Sequence, residues 1–136
     1  MNSWLGGYDA ATERDTPYGI SAEIGPGTVI RKTSELAAPS RILNMIDEQD
    51  DSINDGYSVV AMFNSVSAEK IVDYRSSYHN GAGGLNFADG HSETHKWVDP
   101  RTRTNYQKDI RLSVLPPNPS PNNKDVLWLQ QRATSK

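Results

Sequence analysis

Gly84-Leu85-Asn86-Phe87-Ala88-Asp89-Gly90-His91-Ser92-Glu93-Thr94-His95-Lys96-Trp97-Val98 carries the clearest structural signal in the chain. Residues 84–88 alternate apolar and polar side chains, Asp89-Gly90 supplies a turn, and His91 to Val98 continues as a strand, the pattern of a β-hairpin. Period-two alternation fixes the register: Leu85 and Phe87 share one face, and His91, Glu93, His95 and Trp97 share a face of the returning strand. Both faces then need cover from elsewhere in the chain.

Working outward from this hairpin, Arg41-Ile42-Leu43-Asn44-Met45-Ile46-Asp47 has the apolar density and length of a central strand. Tyr57 to Phe63, rich in β-branched and aromatic residues, is its expected partner. The acidic run Glu48 to Gly56 between them ends in Asp-Gly and reads as a long hairpin loop. Ser67 to Tyr74 is compatible with a short helix and equally with a strand. A single helical turn is expected at Thr33-Ser34-Glu35-Leu36, ending before Pro39 because proline disfavours helical geometry in the residue before it. Trp4 to Gly27 has neither period and is expected to be an ordered loop pinned by Tyr18, Ile20 and Ile24.

Downstream, residues 115–123 contain Leu115-Pro116-Pro117-Asn118-Pro119-Ser120-Pro121, whose four prolines predict an extended strap that joins no sheet ladder. A short helix over about residues 124–132 should follow, capped by Asn122 or Asn123, with Asp125 and Arg132 matched to its dipole and Val126, Leu129 and Trp128 docking it. The expected architecture is α+β: an antiparallel sheet holding both the acidic and the Asp89-Gly90 hairpins, with the C-terminal helix strapped against it.

At 136 residues the chain fits one domain, because smaller pieces would not bury a stable core. With only 35% hydrophobic residues, ten glycines and eight prolines, that core should be small and rich in loops. Net charge is −3, and the Lys and Arg residues form no stripe, which argues against nucleic acid as a partner. Val59-Val60-Ala61-Met62-Phe63 is far short of the ~18–20 apolar residues that cross a bilayer. Met1-Asn2-Ser3-Trp4-Leu5-Gly6-Gly7 lacks the basic start and apolar core of a signal peptide, so export would be directed by residues outside this sequence. The absence of cysteine suits either a reducing or an exported protein.

Several residue sets admit chemistry. His79 and Asp89 with Ser76 or Ser77 could form a nucleophilic triad, but no nucleophile elbow or oxyanion donor accompanies them. His91, Glu93 and His95 could bind zinc from one strand face, although two-residue spacing arises freely and no supporting partner is evident. His79, His91, His95 and Asp89 together would suit a metal-dependent hydrolase. Asp47, Glu48, Asp50, Asp51, Asn54 and Asp55 offer hard oxygen donors for calcium, without EF-hand spacing, or simply a solvated turn. Trp4, Trp97 and Trp128 could stack on sugars, but a chain this poor in large apolar residues should need at least two of them inside.

His79, nine further residues and then Asp89-Gly90, followed by His91 and Trp97, resembles the signature of the prepilin-type H-X9-DG family of pseudopilin-like proteins. The resemblance extends to Asp47-Glu48, to Asp51-Ser52-Ile53-Asn54-Asp55-Gly56-Tyr57, to Pro121-Asn122-Asn123 with Asp125 and Trp128-Leu129-Gln130-Gln131-Arg132, and to the opening Asn2-Ser3-Trp4-Leu5-Gly6-Gly7. It implies the β-rich head of a type II secretion or pilus-like subunit, periplasmic or at the cell surface, with other pilin-like subunits and secretion machinery as partners. Family members carry a prepilin-peptidase site and a long apolar N-terminal helix, and Met1 falls where the head should already have begun. Calcium in the heads of some major pseudopilins adds weight to the acidic loop as an oxygen-ligand site. Within the signature, Gly81, Gly83 and Gly84 are expected to take backbone conformations closed to other residues, with Gly90 in the turn. His79 should hydrogen-bond across it to Asp89 or a backbone carbonyl, making a structural clasp with no catalytic residue.

Overall fold

The computed structural model of the chain describes residues 1–5, 28–53, 56–62, 67, 69–103 and 118–134. They form a mixed α+β fold built on a small antiparallel sheet. β1 (Leu43–Ile46), β3 (Ala82–Phe87) and β4 (Ser92–Lys96) lie in the order β1-β3-β4. β3 and β4 keep a regular register from Ala82↔Lys96 to Asn86↔Ser92, whereas β1 meets β3 with a shift between Leu43 and Met45. Leu85 and Phe87 are buried, as the alternation requires, while in β1 Leu43 is buried and Met45 is exposed across the register shift.

The partner of β1 is β3, not the 57–63 segment expected from its β-branched composition. Residues 57–62 instead thread through the core, with Val59, Val60, Ala61 and Met62 all buried. Buried backbone needs hydrogen-bond partners even without a ladder, and here side chains supply them. Asp73 accepts the Val59 N–H, and the Val59 carbonyl accepts Arg75 Nη2 at 2.6 Å. The Val60 and Ala61 carbonyls accept Trp4 Nε1 and Gln130 Nε2, each at 2.8 Å. Phe63, Tyr18, Ile20 and Ile24 lie outside the described residues.

One further expectation is corrected, and one left open between helix and strand is decided. Part of the proline-rich strap does join a ladder: β5 (Asn118–Pro119) pairs antiparallel with β2 (Lys70–Ile71), and Ser120 N–H extends the pairing to the Glu69 carbonyl at 2.7 Å. A two-stranded edge tolerates a residue without an N–H. For 67–74, strand is the outcome at Lys70–Ile71. Short 3-10 turns occupy Thr33–Glu35 and Pro39–Arg41.

The helix α1 (Lys124–Ala133) extends the expected span by a residue at its end, and Asn123 caps it by accepting the N–H groups of Asp125 and Val126. Leu129 and Ala133 reach the main core with Trp4, Leu43, Leu85, Phe87 and Trp97, while Val126 joins Ile71 and Tyr74 in a second cluster. Asn2 closes the outer edge of β1: its N–H bonds the Asn44 carbonyl, and its side-chain amide donates to the carbonyls of Leu43 and Ala133.

Candidate functional site

The residues of the histidine and Asp-Gly signature build two successive turns at opposite ends of β3. At the first, His79 and Ala82 exchange both backbone hydrogen bonds at 3.2 Å around Asn80 and Gly81, whose φ angles are 55° and 79°. Paired positive φ values are what a two-residue primed turn demands, and Asn-Gly is the dipeptide that meets it most easily. At the second turn the loop is Ala88-Asp89-Gly90, a residue longer than Asp89-Gly90 alone. Gly90 N–H closes it on the Phe87 carbonyl at 2.9 Å, with Gly90 at φ 93°.

Gly83 and Gly84 correct the expectation of unusual backbone conformation, since neither has positive φ. Their need is for space. A Cβ on Gly83 would lie 2.8 Å from the Ser76 carbonyl oxygen and 3.2 Å from the Trp97 ring, and one on Gly84 would lie 2.6 Å from Asp47 Oδ2. Ser76 in turn receives Trp97 Nε1 on its carbonyl at 2.8 Å, so the close approach at Gly83 lets the core tryptophan anchor the segment before the turn.

The side chain of His79 does not reach Asp89. Its Nε2 lies 3.9 Å from Asp47 Oδ2, and the same carboxylate oxygen accepts Gly84 N–H at 3.1 Å. Both side chains are more than half exposed, at 60% and 55%, so the attraction is screened by water and weak. Across the turn it is the His79 backbone that acts. Asp89 pairs with His91, accepting its N–H at 3.1 Å and lying 2.5 Å from Nδ1. This hydrogen bond holds the Asp89 carboxyl below its ordinary pKa. His91 also stacks on Phe87, ring centroids 4.3 Å apart, and covers that end of the core.

The third histidine has a different setting. His95 stacks on Trp128 at 3.8 Å between centroids and meets Trp97 edge-on at 4.9 Å, while the Arg132 guanidinium lies 3.9 Å above the Trp128 ring. Burial pushes the His95 pKa down, against opposing pulls from Asp125 and Glu93. Trp4 and Trp97 are in the core at 2% and 1% exposure, so they form no sugar platform. Ser76 is buried, and its hydroxyl finds no hydrogen-bond partner among the described residues.

The acidic run separates into different tasks. Asp47 serves Gly84, Asp50 accepts the Tyr78 hydroxyl, and Glu48 bridges antiparallel to Arg75 through the backbone. Asn54 and Asp55 lie outside the described residues. Among the described residues, which include Asp47, Glu48, Asp50 and Asp51 of the acidic run and the His79, Asp89, His91, Glu93 and His95 sets, no three His, Asp or Glu side chains converge as a metal site would need.

Sequence reading passed over a set of buried polar residues. Arg75, only 4% exposed, donates to the Ser58 hydroxyl and the Val59 carbonyl; burial pushes its pKa down, and Asp73 and Glu48 pull it back up. Asp125 accepts the N–H groups of Val98 and Asp99, and Glu69 accepts that of Asn123. Nothing in Asp73-Tyr74-Arg75 distinguishes it from a surface stretch, since charged residues are rarely this buried. Asn123 did carry a signal as a cap. On the outer face of the sheet, Met45, Asp47, Gly84, Asn86, Ser92 and Thr94 line an open depression.

No protein-family model, curated protein or solved structure matches this chain.

Proposed function

We propose that this chain is the head of a pseudopilin-like subunit, acting by assembly and protein contacts at the periplasmic face or cell surface rather than by catalysis. One observation carries the reading: the turn residues, the glycines and His91 of the signature each have a folding task, and His79 contributes through its backbone. Asn80-Gly81 and Asp89-Gly90 shape turns, Gly83 and Gly84 admit Trp97, Ser76 and Asp47, and His91 seals Phe87. A motif spent in this way fixes a shape, as a subunit that works through its surface requires. The other pilin-like subunits and the secretion machinery are the partners this reading names.

The test is to tag the full-length gene product in its native cells and shear surface filaments from them. Recovery of the tag in sheared or cross-linked assemblies supports the proposal, and a freely soluble cytosolic product overturns it. A second reading, an extracellular carbohydrate- or protein-binding module, is favoured by the open depression on the outer sheet face. Saturable binding on a glycan array, lost on Asn86→Trp, would support that alternative.

A further inference from the structure

The two edges of the three-stranded sheet are treated differently. Asn2 occupies the outer edge of β1, but β4 has no neighbour beyond it among the described residues. The bonds Phe87 N–H to His91 and Trp97 N–H to Gly81 set the phase of the β3–β4 ladder. Odd-numbered residues of β4 therefore bond to β3, and the backbone groups of Ser92, Thr94 and Lys96 point outward. Ser92, Glu93, Thr94 and Lys96 are exposed. The run stops at Val98, whose N–H is taken by Asp125.

Such an edge is a template for another strand, and proteins commonly blunt it with proline, bulges or cover. β4 has no proline, and its pairing with β3 is without a bulge. Its charges select a partner. The strand reads Ser-Glu-Thr-His-Lys, with its acid Glu93 in the first half and its cation Lys96 in the second. Laid antiparallel on its own image about Thr94, it sets Glu93 against the partner's His95 and Ser92 against the partner's Lys96. A parallel arrangement would set like against like. Thr94 would then exchange both backbone hydrogen bonds with its own copy at the two-fold axis.

We propose that β4 is a self-association edge, through which a second copy of this chain adds its β4 antiparallel to make one continuous sheet across two heads. Because Asn2 closes the opposite edge, growth stops at the pair, and the contact is isologous and closed rather than filament-forming. This inference goes beyond the proposed function and does not depend on it.

The chain contains no cysteine, so a single introduced thiol is a clean probe. The purified chain should form dimers in sedimentation equilibrium at micromolar to millimolar concentration. Thr94→Cys should cross-link with a short bis-maleimide, and Met45→Cys, exposed on the far strand, should not. Thr94→Pro, which removes an outward donor, and Glu93→Lys, which removes the strand's one acid and leaves Lys96 facing only like charge across the contact, should each raise the dissociation constant at least ~10-fold. Circular dichroism identifies a variant that fails to fold, in which case the cross-linking pair decides. A chain monomeric throughout, or equal cross-linking at both cysteines, overturns the proposal. A dimer unaffected by folded Thr94→Pro and Glu93→Lys does the same.

Discussion

At the scale of single residues, the glycines of the signature make separable demands. Gly83→Ala forces a methyl against a backbone carbonyl and a buried ring, neither of which can move independently. It should cost about 1–3 kcal/mol in urea denaturation. Gly84→Ala meets the end of an exposed Asp47 side chain, which can swing away, and should cost less than Gly83→Ala in the same experiment. His79→Ala should change stability by no more than about 0.5 kcal/mol, since its contact with Asp47 is long and solvated. A loss as large as that of Gly83→Ala would show that the side chain, and not only the backbone, holds the turn. The sequence reading singled out Gly81 for its backbone freedom, and the structure shows the reason: it closes an Asn80-Gly81 turn. The need at Gly83 was not legible in the sequence, because the carbonyl it admits belongs to a residue seven positions away, on a segment no local pattern brings near.

At the scale of elements, α1 depends on Asn123, which is fully buried and bonded on both ends of its amide. Its Oδ1 accepts two helix N–H groups, and its Nδ2 donates to Thr102 at 3.0 Å and Ser120 at 2.9 Å. Asn123→Ala should lose about 1–2 kcal/mol from the cap alone, with faster amide exchange at Asp125 and Val126. The same helix holds Trp128 between His95 and Arg132. Because burial depresses the His95 pKa, the unfolded chain takes up a proton at higher pH than the folded one. The contribution of a neutral His95 is complete above the unfolded value of about 6.5 and is lost as pH falls from there through the lowered folded pKa. Stability should therefore fall on acidification below about pH 6.5, and His95→Gln should flatten that part of the profile in thermal melts.

At the scale of the whole molecule, Arg75 joins the threaded 57–62 segment to the strand region around Asp73, deep in the protein. Arg75→Met should cost about 3–5 kcal/mol, because it strands the groups the guanidinium satisfies. A loss under 1 kcal/mol would show that water reaches them. What the sequence determined by itself was local: the turn at Asp89-Gly90, the shared face of Leu85 and Phe87, a cap at Asn122 or Asn123, and α1 to within a residue of its end. Each depends on neighbours a few residues apart, where sterics and hydrogen bonding act through the covalent chain. Only the tertiary structure decided that β1 pairs with β3, that residues 57–62 run through the core without a ladder, and that part of the proline strap becomes β5. Those choices balance burial against hydrogen-bond satisfaction among segments far apart in the chain, and several candidate strands met the local requirements equally well.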